Sequence, residues 1–131
     1  MTNDHTPTQA LNWFEIPVRD LDRAQRFYET LFARPLRRES MGPEITLAVF
    51  PYTDGSGVGG CLYASAHAPA PTTEGTVVYL NAAPSLDVVV ARLGEAGGKL
   101  LLPRVDLPGD MGAFVHIQDS EGNRVGLHAS R

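Results

Sequence analysis

The first clear hydrophobic pattern of the chain is a short apolar stretch followed by a helical period. Residues 13–18 mix aromatic and β-branched side chains, which is typical of a β-strand. Over residues 21–32 the apolar side chains recur at helical spacing and form one face. Asp20 supplies a carboxylate that can cap the first turn, and Pro35 prevents the helix from continuing. The sequence therefore predicts a strand that leads directly into an amphipathic helix.

The same order of elements occurs twice along the chain. After the first helix come three strand-like stretches, and after a proline-rich segment a second strand, helix and three strands follow. Ser85, the predicted cap of the second helix, lies 65 positions after Asp20, and the same offset relates Trp13 to Val78 in the first strands. A constant offset across several elements indicates an internal repeat. The later elements are predicted as strands over 36–40, 44–50 and 58–63, a strand over 75–83, a helix over 86–96, and strands over 99–102, 113–118 and 124–128.

The repeat predicts how the chain is divided. A polar arm over residues 1–11 precedes a first βαβββ module over 12–66. A linker rich in proline and small residues over 67–74 leads to a second βαβββ module over 75–131. Each module alone would leave one apolar sheet face uncovered, so the two are expected to pack as one domain with a cleft between them.

Composition and charge narrow the function classes. The chain has 131 residues, 43% of them hydrophobic, which suits one domain with a proper core. The net charge is −4 and no basic stripe is present, so no nucleic-acid partner is expected. No apolar run has the length of a membrane span, and no membrane partner is expected. Cys61 is the only cysteine, so no internal disulfide can form, and the cytoplasm is the predicted location.

Two motifs carry a resemblance to a known family. The segment VRDLDRAQRFYETLF resembles the first-module signature of the vicinal oxygen chelate superfamily, which includes glyoxalase I, bleomycin-resistance proteins and extradiol dioxygenases. The segment DSEGNRVGL resembles the second-module turn of that family, with Ser120 and Glu121 in place of the usual Pro and Asp. The resemblance covers residues 12–128. It implies an α+β fold in which two tandem βαβββ modules form a curved mixed sheet around a cleft, and it implies a homodimer.

The resemblance also locates the positions at which related enzymes bind a divalent metal. These positions lie on the first and last strand of each module and correspond here to Trp13, Cys61, Val78 and Gly126, the offset of 65 also relating Cys61 to Gly126. Trp, Val and Gly side chains donate no lone pair to a metal, and one thiolate falls short of the three or four ligands needed. No metal and no other cofactor is therefore predicted, and the metal-dependent chemistry of glyoxalase I and the dioxygenases is not expected.

Strand alternation extends the set of predicted cleft residues. Glu15 shares a face with Trp13, and a carboxylate in an apolar strand is interpreted either as a general base or as a salt-bridged or exposed side chain. His128 and Tyr63 are predicted to assist Glu15 in catalysis, although a strand histidine is more often structural. Cys61 lacks an evident paired base for a nucleophilic role. The residues predicted to bind the ligand are Trp13, Cys61, Val78, Leu80, His116 and Gly126.

Together these features predict a glyoxalase-like protein that binds a small organic molecule in the cleft between its modules. One hypothesis is a metal-independent lyase or isomerase of a carbonyl compound, with Glu15 as the base. A second is a non-catalytic protein that binds and sequesters its ligand, as bleomycin-resistance proteins do. A third is a metal-dependent lyase or dioxygenase whose ligands have moved to Glu15, His116 and His128. The sequence leaves open whether the chain is an enzyme.

Overall fold

The structure, a computed structural model, describes residues 6–130. Residues 1–5 of the predicted N-terminal arm and residue 131 lie outside the described residues. The elements in chain order are β1 (Trp13–Pro17), α1 (Leu21–Phe32), β2 (Arg37–Ser40), β3 (Thr46–Val49), β4 (Gly59–Ala64), β5 (Tyr79–Asn81), α2 (Leu86–Ala91), α3 (Leu93–Ala96), β6 (Lys99–Asp106), β7 (Ala113–Gln118) and β8 (Arg124–Ala129).

The strands form two four-stranded mixed sheets, one from each half of the chain. The first sheet has the order β1-β4-β3-β2 and the second has the order β5-β8-β7-β6. In each sheet the first strand of the module pairs in parallel with the last strand, and the other pairs are antiparallel. The predicted α+β fold with two βαβββ modules is therefore confirmed.

The helices cover one face of each sheet, and the two modules share a single main core. Helix α1 of the first module packs against α2 and α3 of the second. Because both modules bury apolar side chains in this shared cluster, the helix layer joins the two sheets. The largest fully buried side chains of the cluster are Phe27, Tyr28, Leu31, Leu62, Leu86, Ile117 and Leu127.

The helix boundaries follow from the predicted caps. Asp20 accepts a hydrogen bond from the backbone N–H of Arg23 at 3.0 Å, and Ser85 caps α2 in the same way. The single helix predicted over 86–96 is divided at Arg92, whose backbone N–H bonds to a carbonyl three residues earlier at 3.0 Å. The run of three valines that precedes this point lowers helix propensity, which explains the tighter turn.

The family-like turn between β7 and β8 joins the second module to the first. The Asp119 carboxylate accepts from the backbone N–H of Asn123 at 2.9 Å and from the Tyr28 hydroxyl at 2.6 Å. The Asn123 side-chain amide donates to the carbonyl of Pro17 at 2.8 Å. Because these groups are buried, each hydrogen bond satisfies a polar atom that would otherwise be costly to bury. The turn therefore fixes how the β7–β8 hairpin sits on β1 and α1.

Glu121 of the same turn is a buried carboxylate held by the start of α1. Its oxygens accept from the backbone N–H groups of Arg19 and Asp20 at 2.9 and 2.8 Å, and from the Arg23 Nε at 2.7 Å. Burial alone raises the pKa of Glu121, but the hydrogen bonds from Arg23, the two N–H groups and Ser120 outweigh it and lower the pKa to about 2. Glu121 is therefore a charged anchor between the modules.

Candidate functional site

Each sheet has an open face, defined here as the side opposite the helices. In β7, the buried residues Val115 and Ile117 face the helices, so the alternating residues Phe114 and His116 lie on the open face. In β5, Leu80 is buried in the core. The open face of the second sheet therefore carries the neighbours of these core residues, including Tyr79, Asn81, Phe114, His116, Arg124, Gly126 and His128.

The register of β5 differs from the one predicted by the offset of 65. The offset of 65 holds for the helix starts and for the last strands, since β4 begins at residue 59 and β8 at residue 124. It fails in β5. The Ala82 N–H donates to the backbone carbonyl of His128, just as the Val18 N–H donates to the backbone carbonyl of Tyr63. These two equivalent donors are 64 positions apart, not 65. The connection from β5 to α2 thus contains one extra residue.

This one-residue difference reverses the predicted faces of β5. A slip by one position moves every side chain of a strand to the other face of the sheet. Val78 and Leu80, predicted to face the ligand, pack against the core instead, and Tyr79 and Asn81 take the open face. The predicted facing of Val78 and Leu80 was therefore wrong, and their role in ligand binding stays a prediction.

The open face of the first sheet carries the other predicted site residues. Trp13 is 37% exposed and contacts the Tyr52 ring edge to face, with centroids 6.1 Å apart. Glu15 is exposed, lies opposite Cys61 in the strand register, and has no salt-bridge partner within residues 6–130. Tyr63 is half-buried beside the apolar side chains of β3. This face offers apolar surface and one solvated carboxylate.

Cys61 lies at the centre of that face and is fully buried. Burial, together with the nearby Glu15 carboxylate, raises the pKa of the Cys61 thiol to about 11. The thiolate is the reactive form of cysteine, so this thiol is inert at neutral pH. Cys61 is therefore a packing residue in the first sheet.

The open face of the second sheet contains a connected polar group, called here the Tyr79 cluster and defined as Tyr79, Phe114, His116 and Arg124. The Tyr79 hydroxyl lies 2.7 Å from the His116 Nε2, and the Arg124 Nη1 lies 3.0 Å from the His116 Nδ1. The Arg124 Nε donates to the carbonyl of Thr73 at 3.0 Å, which holds the guanidinium beside the imidazole. The linker between the modules thus helps to position the cluster.

The hydrogen-bond directions within the cluster follow from the chemistry of arginine. A guanidinium only donates, so the His116 Nδ1 must accept from Arg124. Burial and the nearby Arg124 charge both lower the pKa of His116, which keeps the imidazole neutral at pH 7. The proton of the neutral ring is then on Nε2 and is donated to the Tyr79 oxygen. The Tyr79 hydroxyl proton is left to donate to a bound molecule.

The apolar side of the cluster is aromatic. The Phe114 ring meets the Tyr79 ring edge to face at 5.5 Å and lies 5.7 Å from the His116 ring. Gly126 lies opposite Tyr79 in the register, and a Cβ at this glycine would collide with the Tyr79 ring. Glycine is therefore required for Tyr79 to lie flat against the sheet, and the predicted Gly126 contributes space instead of a ligand atom.

His128, predicted as a catalytic residue, lies on the same open face but outside the cluster. Its Nε2 donates to the carbonyl of Met111 at 2.7 Å and so holds the β6–β7 loop. Of the predicted residues, the structure brings His116 and Gly126 together with Tyr79, while the first-sheet residues lie on a separate sheet. Tyr79 and Arg124 were missed, although Tyr79 is one residue from the predicted Val78.

The residues predicted to correspond to metal ligands do not provide a set of donor atoms that fits a metal. Trp13 and Gly126 provide no donor atom, and Cys61 is a buried, protonated thiol. Within residues 6–130 no three His, Cys, Asp or Glu side chains come together in a group that would hold a metal ion. The relocated set of Glu15, His116 and His128 is therefore not assembled in the structure.

Comparison with known proteins identifies the family. The sequence profile of the Glyoxalase/Bleomycin resistance protein/Dioxygenase superfamily matches residues 10–127. No curated protein matches the chain.

Among the described residues, no helix is long and apolar enough to cross a membrane.

Solved structures of low sequence identity share the fold. A glyoxalase/bleomycin resistance protein/dioxygenase domain from Frankia sp. is 20% identical, with 95% of this chain and 100% of that chain covered and a TM-score of 0.64. UcmS2 is 20% identical over 93% of this chain and 98% of its own, with a TM-score of 0.66. A variant of glyoxalase I from Zea mays is 21% identical over 92% of this chain but 46% of its own, with a TM-score of 0.64. This chain thus spans about half the length of maize glyoxalase I. The chain belongs to the glyoxalase/bleomycin resistance protein/dioxygenase superfamily.

Proposed function

We propose that this protein binds a small organic molecule with a carbonyl group at the Tyr79 cluster, without a metal. The observation that carries this proposal is the Arg124–His116–Tyr79 chain of hydrogen bonds, which leaves the Tyr79 hydroxyl proton available to donate to a ligand. Tyr79 is 49% exposed, so a ligand can reach this hydroxyl. A carbonyl oxygen is the simplest partner for a single preorganised donor.

The other members of the cluster favour a planar, anionic ligand. Arg124 uses Nε and Nη1 inside the protein, while its Nη2 has no partner among residues 6–130. No carboxylate of the described chain pairs with this guanidinium, so it attracts a ligand carboxylate. The Phe114 ring offers an apolar face to an aromatic group. An aromatic 2-oxo acid combines the three features that this site recognises.

Titration with phenylpyruvate tests the proposal. We expect binding by calorimetry, with affinity reduced roughly three- to tenfold in Tyr79→Phe, because one hydrogen bond is lost. Tyr63→Phe is the matched control, since it removes a hydroxyl from the open face of the other sheet. Equal affinity of Tyr79→Phe and the unchanged protein would refute the assignment of this hydroxyl.

The second candidate function is metal-independent proton transfer at the carbon next to the carbonyl. A donor that stabilises an enolate oxygen favours loss of the neighbouring proton, and the neutral His116 provides such support to Tyr79. Exchange of the C3 protons of phenylpyruvate in D2O, followed by NMR, distinguishes this from binding alone. Exchange faster than in buffer and dependent on Tyr79 indicates an isomerase or lyase, whereas exchange at the buffer rate indicates a binding protein.

Assembly and location complete the proposal. We propose a homodimer, since Trp13 leaves aromatic surface exposed on the open face of the first sheet. We also propose that the protein is located in the cytoplasm, where the free thiol of Cys61 would stay reduced. Light scattering at micromolar concentration tests the dimer, and a monomer mass contradicts it.

A further inference from the structure

A separate cavity of about 420 Å³ lies on the helix side of the protein, between the two modules. It is called here the inter-module pocket. Its first-module wall includes Phe14 and Phe32, and its second-module wall includes Leu80 and Val88. The volume falls within the range of about 300–1,000 Å³ that small-molecule sites occupy. The open-face residues Tyr79, His116 and Arg124 do not line it, so the pocket is distinct from the Tyr79 cluster.

Two arginines line the pocket, and most of its other lining residues are apolar. Arg34 follows the end of α1, and Arg92 lies between α2 and α3, so each module supplies one cation. The Arg92 Nη1 donates to the carbonyl of Leu31 at 3.3 Å, which holds this guanidinium against the end of α1. Neither arginine forms a salt bridge within residues 6–130.

The charge of the pocket opposes that of the protein as a whole. No Asp or Glu side chain lines the pocket, although the chain carries a net charge of −4. Two cations without carboxylate partners in the described part of the chain therefore line the same cavity as several aromatic side chains. Such a site complements an anion on an apolar body, because the apolar walls exclude water and strengthen the charge interaction.

Two glycines of β4 allow aromatic side chains that line the pocket to pack against the strand backbone. A Cβ at Gly60 would collide with the Phe14 ring, and a Cβ at Gly59 would collide with the Tyr52 ring. Side chains at these positions would therefore displace two aromatic walls of the pocket. The glycines of β4 therefore fix where these two rings lie in the pocket wall.

We infer that the inter-module pocket binds an organic carboxylate with an aromatic body, as a second site beside the proposed open-face site. The carboxylate pairs with Arg34 and Arg92, and the aromatic body packs against Phe14 and Phe32. Because the site bridges both modules, a bound carboxylate also stabilises their packing.

Binding of 2-naphthoate to the full chain tests this inference. Calorimetry is expected to show binding of 2-naphthoate and at least tenfold weaker binding of the neutral 2-naphthamide, which has the same shape. Arg34→Gln and Arg92→Gln are each expected to weaken 2-naphthoate binding roughly three- to tenfold. Arg26→Gln, which removes an exposed charge of α1 outside the pocket, is the matched control and is expected to bind normally.

A second variant and a spectroscopic measurement locate the ligand independently of charge. Val88 is 51% exposed on α2, so Val88→Trp is tolerated by the fold and is expected to block the pocket. Amide NMR is expected to show shifts at Gly59, Gly60 and Ala83 on addition of 2-naphthoate. Equal binding of acid and amide, unchanged affinity in all three pocket variants, or amide shifts confined to the Tyr79 cluster would each overturn the inference. Amide shifts at Gly59, Gly60 and Ala83 report on the inter-module pocket, whereas the phenylpyruvate titration reports on the Tyr79 hydroxyl, so failure of this inference is distinguishable from failure of the proposed function.

Discussion

Replacement of Glu121 by glutamine tests the charged anchor between the modules. Glu121 is buried at the β7–β8 turn and accepts hydrogen bonds from two backbone N–H groups at the start of α1 and from Arg23. Glu121→Gln keeps the shape of the side chain but removes the negative charge. Because Arg23 is 47% exposed, its guanidinium is rehydrated in the variant, and the lost stability comes mainly from the carboxylate.

The expected magnitude follows from the pKa of this carboxyl group. The ordinary pKa of 4.5 falls to about 2 in the folded protein. This difference corresponds to roughly 3–4 kcal/mol in the free energy of unfolding, since each pKa unit is worth about 1.4 kcal/mol. Because the folded-state pKa is the lower one, the stabilisation is complete above pH 4.5, declines as pH falls toward 2, and is absent below it.

Urea unfolding at a series of pH values measures this effect. Glu121→Gln is expected to be less stable by roughly 3–4 kcal/mol at pH 7, and the difference is expected to close between about pH 4.5 and pH 2. Glu39→Gln is the control, because Glu39 pairs with Arg37 at the surface and exposed ion pairs contribute little. A difference that stays constant down to pH 2 contradicts the reasoning, as does equal stability at pH 7.

Three further measurements test the site and its surroundings. Arg124→Gln is expected to raise the pKa of His116, because one cause of its lowered value is removed, and an NMR titration of the ring protons measures this; an unchanged pKa means that the guanidinium does not face the ring. Cys61 is expected to resist iodoacetamide in the folded protein at pH 7.5 and to react once urea unfolds the chain; rapid labelling of folded protein contradicts its burial. Gly60→Ala is expected to destabilise the protein by about 1–3 kcal/mol in urea unfolding, because the new methyl group meets an aromatic ring, whereas Gly94→Ala has open space and is expected to be neutral or stabilising; equal effects of the two substitutions contradict the packing of β4.

The sequence predicted the fold well because its strongest signals are local. The helix face, the Asp20 cap and the family-like turn each depend on residues close together in the chain, and all are found where predicted. The edge strand β6 was predicted too short because Pro103 suggested an end. An edge strand accommodates proline where no partner needs the N–H group, and β6 continues past it with shifts in register.

The candidate site was only partly predictable, because it depends on register and on contacts across the chain. The connection between β5 and α2 is one residue longer than its counterpart in the first module, so Tyr79 lies on the open face where Val78 was predicted. No local sequence pattern reveals this extra residue. The position of Arg124 depends on the carbonyl of Thr73, a linker residue 51 positions away. The alternation of side chains along β1 predicts that Glu15 shares the open face with Trp13. It does not predict that Glu15 is exposed, because exposure depends on which side chains of other elements cover the strand.

The most direct test of the central claim is the carbon-13 NMR resonance of the keto carbon of phenylpyruvate bound to the protein. A hydrogen bond to a carbonyl oxygen withdraws electron density from its carbon, so this resonance is expected to move downfield on binding. The shift is expected to disappear in Tyr79→Phe and to persist in Tyr63→Phe. A bound keto carbon with the same resonance in the unchanged protein and in Tyr79→Phe would contradict the role of the Tyr79 hydroxyl as the carbonyl donor.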